Sequence, residues 1–408
     1  MSDKPISQTD FEALEKQILE TIDHHREELV KVSRTLHADP ETAYNEHRAS
    51  ALLSQKLEEY GYQVQRKVAN LDTAFVGTAG LTSGPTVAVL AEYDALPGLG
   101  HACGHNLIAT AALGAGLALR QVIDKLPGRV AVYGTPVEEG GGGKVVMVNR
   151  GAFKGVDAAL MFHPATSNRV EGSSLASTRV NVIFHGRASH AAAAPDKGIN
   201  ALDGIIQTFN GVNALRQHLR DDARVMGVIT NGGKAANIVP DYASAQFSIR
   251  ASDRKYADEV LEKFRRCAEG ASLASGARLE FNVLESSRYD NLVSNAVMNQ
   301  IFSEKLRKLG LPLADASGEE GLGSTDMGNV SQVVPAIHPF LAIAPAGISA
   351  HTEEFCKAAG SDEGQRAMLN AARAMALTVL ELLAKPGLLE SAKQIFAEQA
   401  ARGEVKGF

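Results

Sequence analysis

Six residues of this chain are of the types that bind a borderline-soft divalent cation, and they fall in four short polar clusters. Cys103 and His105 stand in EYDALPGLGHACGHN, Glu138 and Glu139 in GTPVEEGGGGK, His163 in MFHPA, and His351 in AHTEEF. Thiolate, imidazole and carboxylate together are the donors of a zinc-like ion. A catalytic ion takes three or four protein ligands, so this many donors are better shared between two ions a few ångströms apart, which can polarise a carbonyl and activate water together. Consecutive glutamates outside a helix point in different directions, so Glu139 can hold metal while Glu138 faces the water as the candidate general base. The glycines that follow suggest a phosphate loop, but Gly140 to Lys144 lacks the spaced first glycine and the Ser or Thr after the lysine that such a loop needs.

Singly, each residue has a plainer explanation. His163 at a strand end reads as a hydrogen-bonded structural histidine, Cys103 as a buried thiol, and a glutamate pair as solvated surface. Their joint occurrence after strand-like runs selects the metal reading. His24 and His25, in a charged helix, read as surface residues.

The elements that must position these clusters are legible as apolar runs: Thr86 to Ala91, Val130 to Tyr133, Ala158 to Phe162 and Phe340 to Ala344. They alternate with helical periodicity, the pattern of an α/β layer with a mostly parallel sheet and flanking helices, in which loops at the carboxyl ends of strands converge on one crevice. From about Thr178 the order changes to strand (Val180 to Phe184), helix (Ala201 to Leu219), strands (Val225 to Thr230, Ala243 to Arg250), helix (Asp253 to Leu273) and strand (Leu279 to Leu284). That βαββαβ order predicts an α+β ferredoxin-like insertion. Helical patterns over Ser294 to Leu309 and Ser361 to Leu383 then resume, and the tail after Pro386 is helical in composition. The expected organisation is a catalytic domain in two parts, 1–177 and 288–408, interrupted by an inserted domain over 178–287, with small residues at Gly172 to Ser177 and at Ser286 and Ser287 as hinges.

The insertion carries a second polar group: His190 in HGRASHAAAAP, Asn237 in AANIVPD and Arg250 at a strand end. As binding residues, His190 would stabilise an oxyanion while Asn237 and Arg250 hold a carboxylate. On the residues alone, exposed side chains without a task are an equal reading.

A length of 408 residues favours two domains. A formal net charge of -6 offers no basic field for nucleic acid or an anionic membrane, which points to a small-molecule partner. The start MSDKPISQTD has no basic stretch leading into an apolar run, and no later segment reads as an uninterrupted bilayer span. Cys103, Cys267 and Cys356 are too few and scattered for a disulfide framework. Together these features predict a soluble cytoplasmic protein.

With these motifs in hand, the sequence resembles the aminoacylase and carboxypeptidase family of co-catalytic metallopeptidases, in the amidohydrolase branch marked by HACGH. The match runs over nearly the whole chain, through LHADPETAYNEHRAS, AEYDALPGLGHACGHNL, GTPVEEGGGGK, GRASHAAAAPDKGINALDG, NIVPD, GSTDMGNVSQVVPAIHP and HTEEF. Within the branch it is similar to aminobenzoyl-glutamate hydrolase subunits and to dipeptidases of the β-alanyl-lysine type. The resemblance implies metal ligation by Cys103, His105, Glu139, His163 and His351, with Cys103 bridging two divalent ions per subunit, zinc first and manganese second. It implies Glu138 as general base, Asp94 orienting a ligand, pairing of two subunits through the insertion, and His190 reaching the partner's active site. Departures are Asn106, where many relatives carry aspartate, and Glu92, where distant carboxypeptidases carry histidine. Asp326, in GSTDMGN, is expected to line the pocket and to favour a cationic substrate end. The implied activity is hydrolysis of an amide bond in an N-acyl amino acid, an aminoacyl-glutamate-like compound or a dipeptide. A metal-dependent binding protein with vestigial machinery is the competing reading, and the intact Glu138 and Glu139 pair argues against it; a scaffold that binds nothing would need all these ligands by chance.

Overall fold

The computed structural model describes residues 6–314 and 323–407; Met1 to Pro5, part of the N-terminal stretch read above, lie outside them. Strands run in chain order β1 (Gln63–Arg66), β2 (Phe75–Gly80), β3 (Thr86–Ala91), β4 (Arg129–Gly134), β5 (Ala158–Leu160), β6 (His163–Ala165), β7 (Ala176–His185), β8 (Arg224–Asn231), β9 (Tyr242–Ala251), β10 (Arg278–Val283), β11 (Ala336–Ile337) and β12 (Phe340–Ala342). Two compact units divide the chain: one of residues 1–173, 292–321 and 326–408, the other of 174–291 with 322–325.

In the first unit a six-stranded sheet has the order β1-β2-β4-β3-β5-β11. β3 is parallel to both β4 and β5, and β5 to β11, while β2 runs antiparallel at the other side. Every residue of β3 is buried, which is why TVAVLA reads as an unbroken apolar run: helices cover both faces of a parallel sheet. The His105–Arg120 helix is buried over fifteen of its residues and packs with the Asp362–Ala384 helix. Its small residues allow that closeness; a Cβ at Gly114 would come within 3.2 Å of Ala372 Cβ. The Asp362–Ala384 helix is capped by the Ser361 hydroxyl, which accepts from Gly364 N–H at 3.1 Å. It is long and apolar enough to cross a membrane, contrary to the sequence expectation, but 83% of that stretch is buried within the protein, so its apolar length serves the core.

In the second unit β7 to β10 form an antiparallel sheet of order β10-β7-β9-β8, crossed by the Ala201–Arg216 and Arg254–Ser275 helices in βαββαβ sequence. Asn200 and Asp253 cap these helices, their side chains accepting from Leu202 and Tyr256 N–H. Alternate residues Ala243, Ala245, Phe247 and Ile249 of β9 face a core with Val180, Val182, Phe184 and Phe264, which leaves the other face open. β8 is one of the two edge strands, and Met226, Val228 and Ile229 on it are exposed.

Candidate active site

The carboxyl end of β3 runs into Glu92, Tyr93 and Asp94. Tyr93 is fully buried, donates to the Thr73 carbonyl at 2.5 Å and stacks on Phe75, which fixes the backbone on either side of it. Asp94 then acts in two directions: one carboxylate oxygen lies 3.1 Å from His105 Nδ1 and the other accepts from Glu139 N–H at 2.9 Å. Gly104, at φ 80°, turns the chain into the His105 helix, and a Cβ there would meet Pro164 at 2.7 Å. Only glycine lets the CGH loop lie this close to the strand end that carries His163.

Glu138 and Glu139 do not lie outside a helix as expected; they open a short helical turn, Glu138–Gly141. Successive residues of a helix still diverge by about 100° around its axis, so the two carboxylates keep separate directions. The turn is entered through Val137 at φ 68°, a β-branched residue in the left-handed region, which is costly backbone. Its N–H is held by the buried Glu46 carboxylate at 3.0 Å, and its carbonyl accepts from Gly141 and Gly143 N–H. Gly143 has no room for a side chain, since a Cβ would sit 1.8 Å from the Pro136 carbonyl oxygen. Burial, with the Asp94 charge, pushes the Glu46 carboxyl up to about 7.

Five expected ligands and the expected base are brought together. Ligand atoms of Cys103, His105 and His163 lie within 4.8 Å of one another, as do those of Cys103, Glu139 and His351, and those of His105, Glu138 and Glu139. The ring geometry suits metal binding. His105 Nδ1 is engaged by the Asp94 carbonyl (2.8 Å) and His163 Nδ1 by the Pro164 carbonyl (2.7 Å), so each Nδ1 carries the hydrogen and each Nε2 lone pair is left for an ion. His163 Nε2 lies 3.4 Å from Cys103 Sγ, while buried His105 Nε2 has no hydrogen-bond partner. A buried polar atom without a partner is expensive, and a divalent ion would satisfy it. His351, 53% exposed, reaches Glu139 Oε1 at 3.3 Å from a left-handed backbone at φ 65°. Burial, then the charges of Glu92, Glu139 and Asp326, holds the Glu138 carboxyl well above the ordinary range.

Asp326 departs from the expected role. It is fully buried, accepts from Lys144 N–H at 2.8 Å and pairs with Lys144 Nζ at 2.7 Å, so its charge is already engaged and is not presented to a cationic substrate end. Lys144 also pairs with Glu92. Sequence reasoning that rejects a phosphate loop leaves Lys144 without a task; a lysine followed by VVMV, after four glycines, is the available signal of a buried charge. His338 is missed too: its buried ring packs edge-on against His163 at 5.4 Å with neither nitrogen hydrogen-bonded.

The second polar group lies within the other unit and is split. Ala191 N–H donates to the Asn237 carbonyl at 3.0 Å and His190 bridges to Ile238, so His190 and Asn237 are neighbours just beyond the Tyr242 end of β9. Arg250 pairs with Ser177 at the other end. The eight residue steps from Tyr242 to Arg250 span about 26 Å at strand rise, so Asn237 and Arg250 of one chain cannot grip the same carboxylate. His190 Nδ1 accepts from Ala192 and Ala193 N–H at 3.3 and 3.1 Å, which puts the neutral ring's hydrogen on Nε2, in an exposed side chain.

A parallel sheet whose strand-end loops gather thiolate, imidazoles and paired glutamates defines a metal-dependent hydrolase acting on linear amide or peptide bonds. Comparison with known proteins agrees: the description of peptidase family M20/M25/M40 matches residues 88–380, and the chain belongs to that family. It is 38% identical over 406 residues to the Xaa-Arg dipeptidase of Mus musculus, covering 96% of this chain and 94% of the mouse protein. It is 29% identical to one of the p-aminobenzoyl-glutamate hydrolase subunits of Escherichia coli (strain K12), covering 92% and 93% of the two chains. The fold is shared with an aminobenzoyl-glutamate utilization protein from Klebsiella pneumoniae (TM-score 0.72, 20% identity, 89% of this chain and 97% of that one). It is shared too with a dinuclear metal-binding peptidase of Bacillus subtilis (TM-score 0.67, 22% identity, 88% and 99%).

Proposed function

We propose that the chain is a two-metal dipeptidase or N-acyl amino acid hydrolase whose ions share the Cys103 thiolate. The observation that carries this is the pair of ligand groups, Cys103 with His105 and His163, and Cys103 with Glu139 and His351, that overlap at one sulfur. The donor set suits zinc first and manganese second. Bound ions would supply Lewis acidity to the scissile carbonyl and make water a better nucleophile near neutral pH. Glu138 takes the proton that the attacking water loses and returns it to the departing amine; its raised carboxyl pKa suits a group that must hold and release a proton. His190 donates its Nε2 hydrogen to the developing oxyanion, and Arg250 holds the substrate carboxylate.

Because Arg250 and the His190 and Asn237 pair stand at opposite ends of one sheet, a complete site is best built from two copies, each lending its His190 to the other. The exposed apolar residues of edge strand β8 support a homodimer formed through this unit. The free cysteines favour a reducing, cytoplasmic setting. The mouse relative's name favours Xaa-Arg dipeptides, and the bacterial relative's favours aminobenzoyl-glutamate. Release of free amine from a panel of Xaa-Arg and β-alanyl dipeptides, aminobenzoyl-glutamate and N-acyl amino acids, with and without chelator, tests the reading. Chelator-sensitive release from one class is expected; no release from protein loaded with two ions per chain would favour the vestigial binder.

A further inference from the structure

A third acidic group adjoins the ligand set: carboxylate oxygens of Glu92, Glu138 and Asp326 lie within 4.8 Å of one another. Glu92 and Asp326 are 1% and 0% exposed, and three anions this close, away from water, repel strongly unless a cation joins them. The chain supplies its own. Lys144 is fully buried, and its ammonium pairs with Glu92 Oε1 and with Asp326 Oδ1, while its N–H donates to the second oxygen of Asp326. Glu92 Oε2, the oxygen that Lys144 does not hold, lies 3.5 Å from His105 Nε2, the nitrogen left for an ion. Without restraint Glu92 would enter the shell of whatever ion His105 holds.

We propose that Lys144 is a positioning residue: its ammonium restrains Glu92 from the metal shell and occupies the carboxylate group beside Glu138, leaving room for two ions and one uncoordinated base. This rests on reading Glu138 as the base. A neutral group of similar length at position 144 would free Glu92 in two ways, to ligate the ion on His105 and to gather a further cation with Asp326 and Glu138, and either removes Glu138 from its work. Neutralising Glu92 at the same time removes the competitor, so the second change should repair the first.

The test compares Lys144→Met, the double variant Lys144→Met with Glu92→Gln, and Glu138→Gln. It reads ions per chain by atomic spectroscopy after gel filtration in manganese, and kcat and KM separately. Lys144→Met is expected to carry a third ion and to lose kcat about 10- to 100-fold with little change in KM. The double variant is expected to return to two ions and to recover at least about tenfold of that loss, as a coupled pair should. Two ions in Lys144→Met with turnover kept overturns the inference, as does a double variant no more active than the single one, whatever the ion count of Lys144→Met. Should Lys144→Met not fold, the double variant decides alone: two ions and kcat within about tenfold of wild type supports the inference, and a larger loss overturns it. Full turnover in Glu138→Gln would instead overturn the assignment of the base, whatever the Lys144 variants do.

Discussion

The two units hold their polar residues in opposite ways. In the first, the candidate ligand groups, Glu138 and the Lys144 pair converge in a largely buried cluster, with Asp94, Pro164 and Glu46 fixing rings and backbone around it. In the second, His190 and Asn237 are exposed and stand a strand's length from Arg250. If the proposed dimer forms, chemistry that must be preorganised would be completed inside one chain, and recognition that must admit a substrate would be shared with a second copy.

The sharpest way to break that contrast is at the base. Glu138→Gln should keep both ions and lower kcat about 10²- to 10⁴-fold; metal analysis beside steady-state kinetics checks it, and near-normal turnover would remove the division of labour between Glu138 and Glu139. The open half is probed by complementation. His190→Ala and Arg250→Ala should each be impaired about 10²-fold or more. If sites are shared between copies, a mixture unfolded and refolded together should regain about a quarter of wild-type activity, because half of the random dimers hold one intact site. A mixture no better than its parts would place the whole site in one chain.

Two smaller effects sharpen the buried half. Asp94→Asn weakens the grip on His105 and the Glu139 N–H, and should lower metal affinity about 10- to 100-fold in a chelator competition. Glu46 gives a pH signature. Its carboxyl stands at about 7 when folded against 4.5 for the ordinary group, so the folded state binds the proton more tightly. The stability it contributes is present below about 4.5 and is lost as pH rises through about 7. Denaturant unfolding of metal-free Glu46→Gln should therefore fall less across that window than wild type; an unchanged pH slope would show that the carboxyl is not so perturbed.

What can be read from the sequence follows from where the information lies. The sheet strands and the βαββαβ unit are legible because burial on both faces, or on one, writes its period directly into runs such as TVAVLA and YASAQFSIRA. The candidate ligands stand out in the sequence because each follows such a run. The Lys144 pairs are not, since Glu92 and Asp326 lie 52 and 182 residues away and no local pattern records a buried ion pair. The helical turn at Glu138 is hidden for a related reason: Val137 adopts its left-handed backbone only because Glu46, 91 residues earlier, accepts from its N–H. Asp326 reads as a pocket wall in GSTDMGN for the same reason, because nothing near it in the chain announces the lysine that engages it.

On the proposed function, two ions would meet at the Cys103 sulfur. Anomalous scattering from crystals of the zinc-loaded protein tests it most directly. Two peaks per chain are expected, each within about 2.3 Å of Cys103 Sγ, one flanked by His105 and His163 and the other by Glu139 and His351. A single peak, or a pair of which only one touches the sulfur, would contradict it.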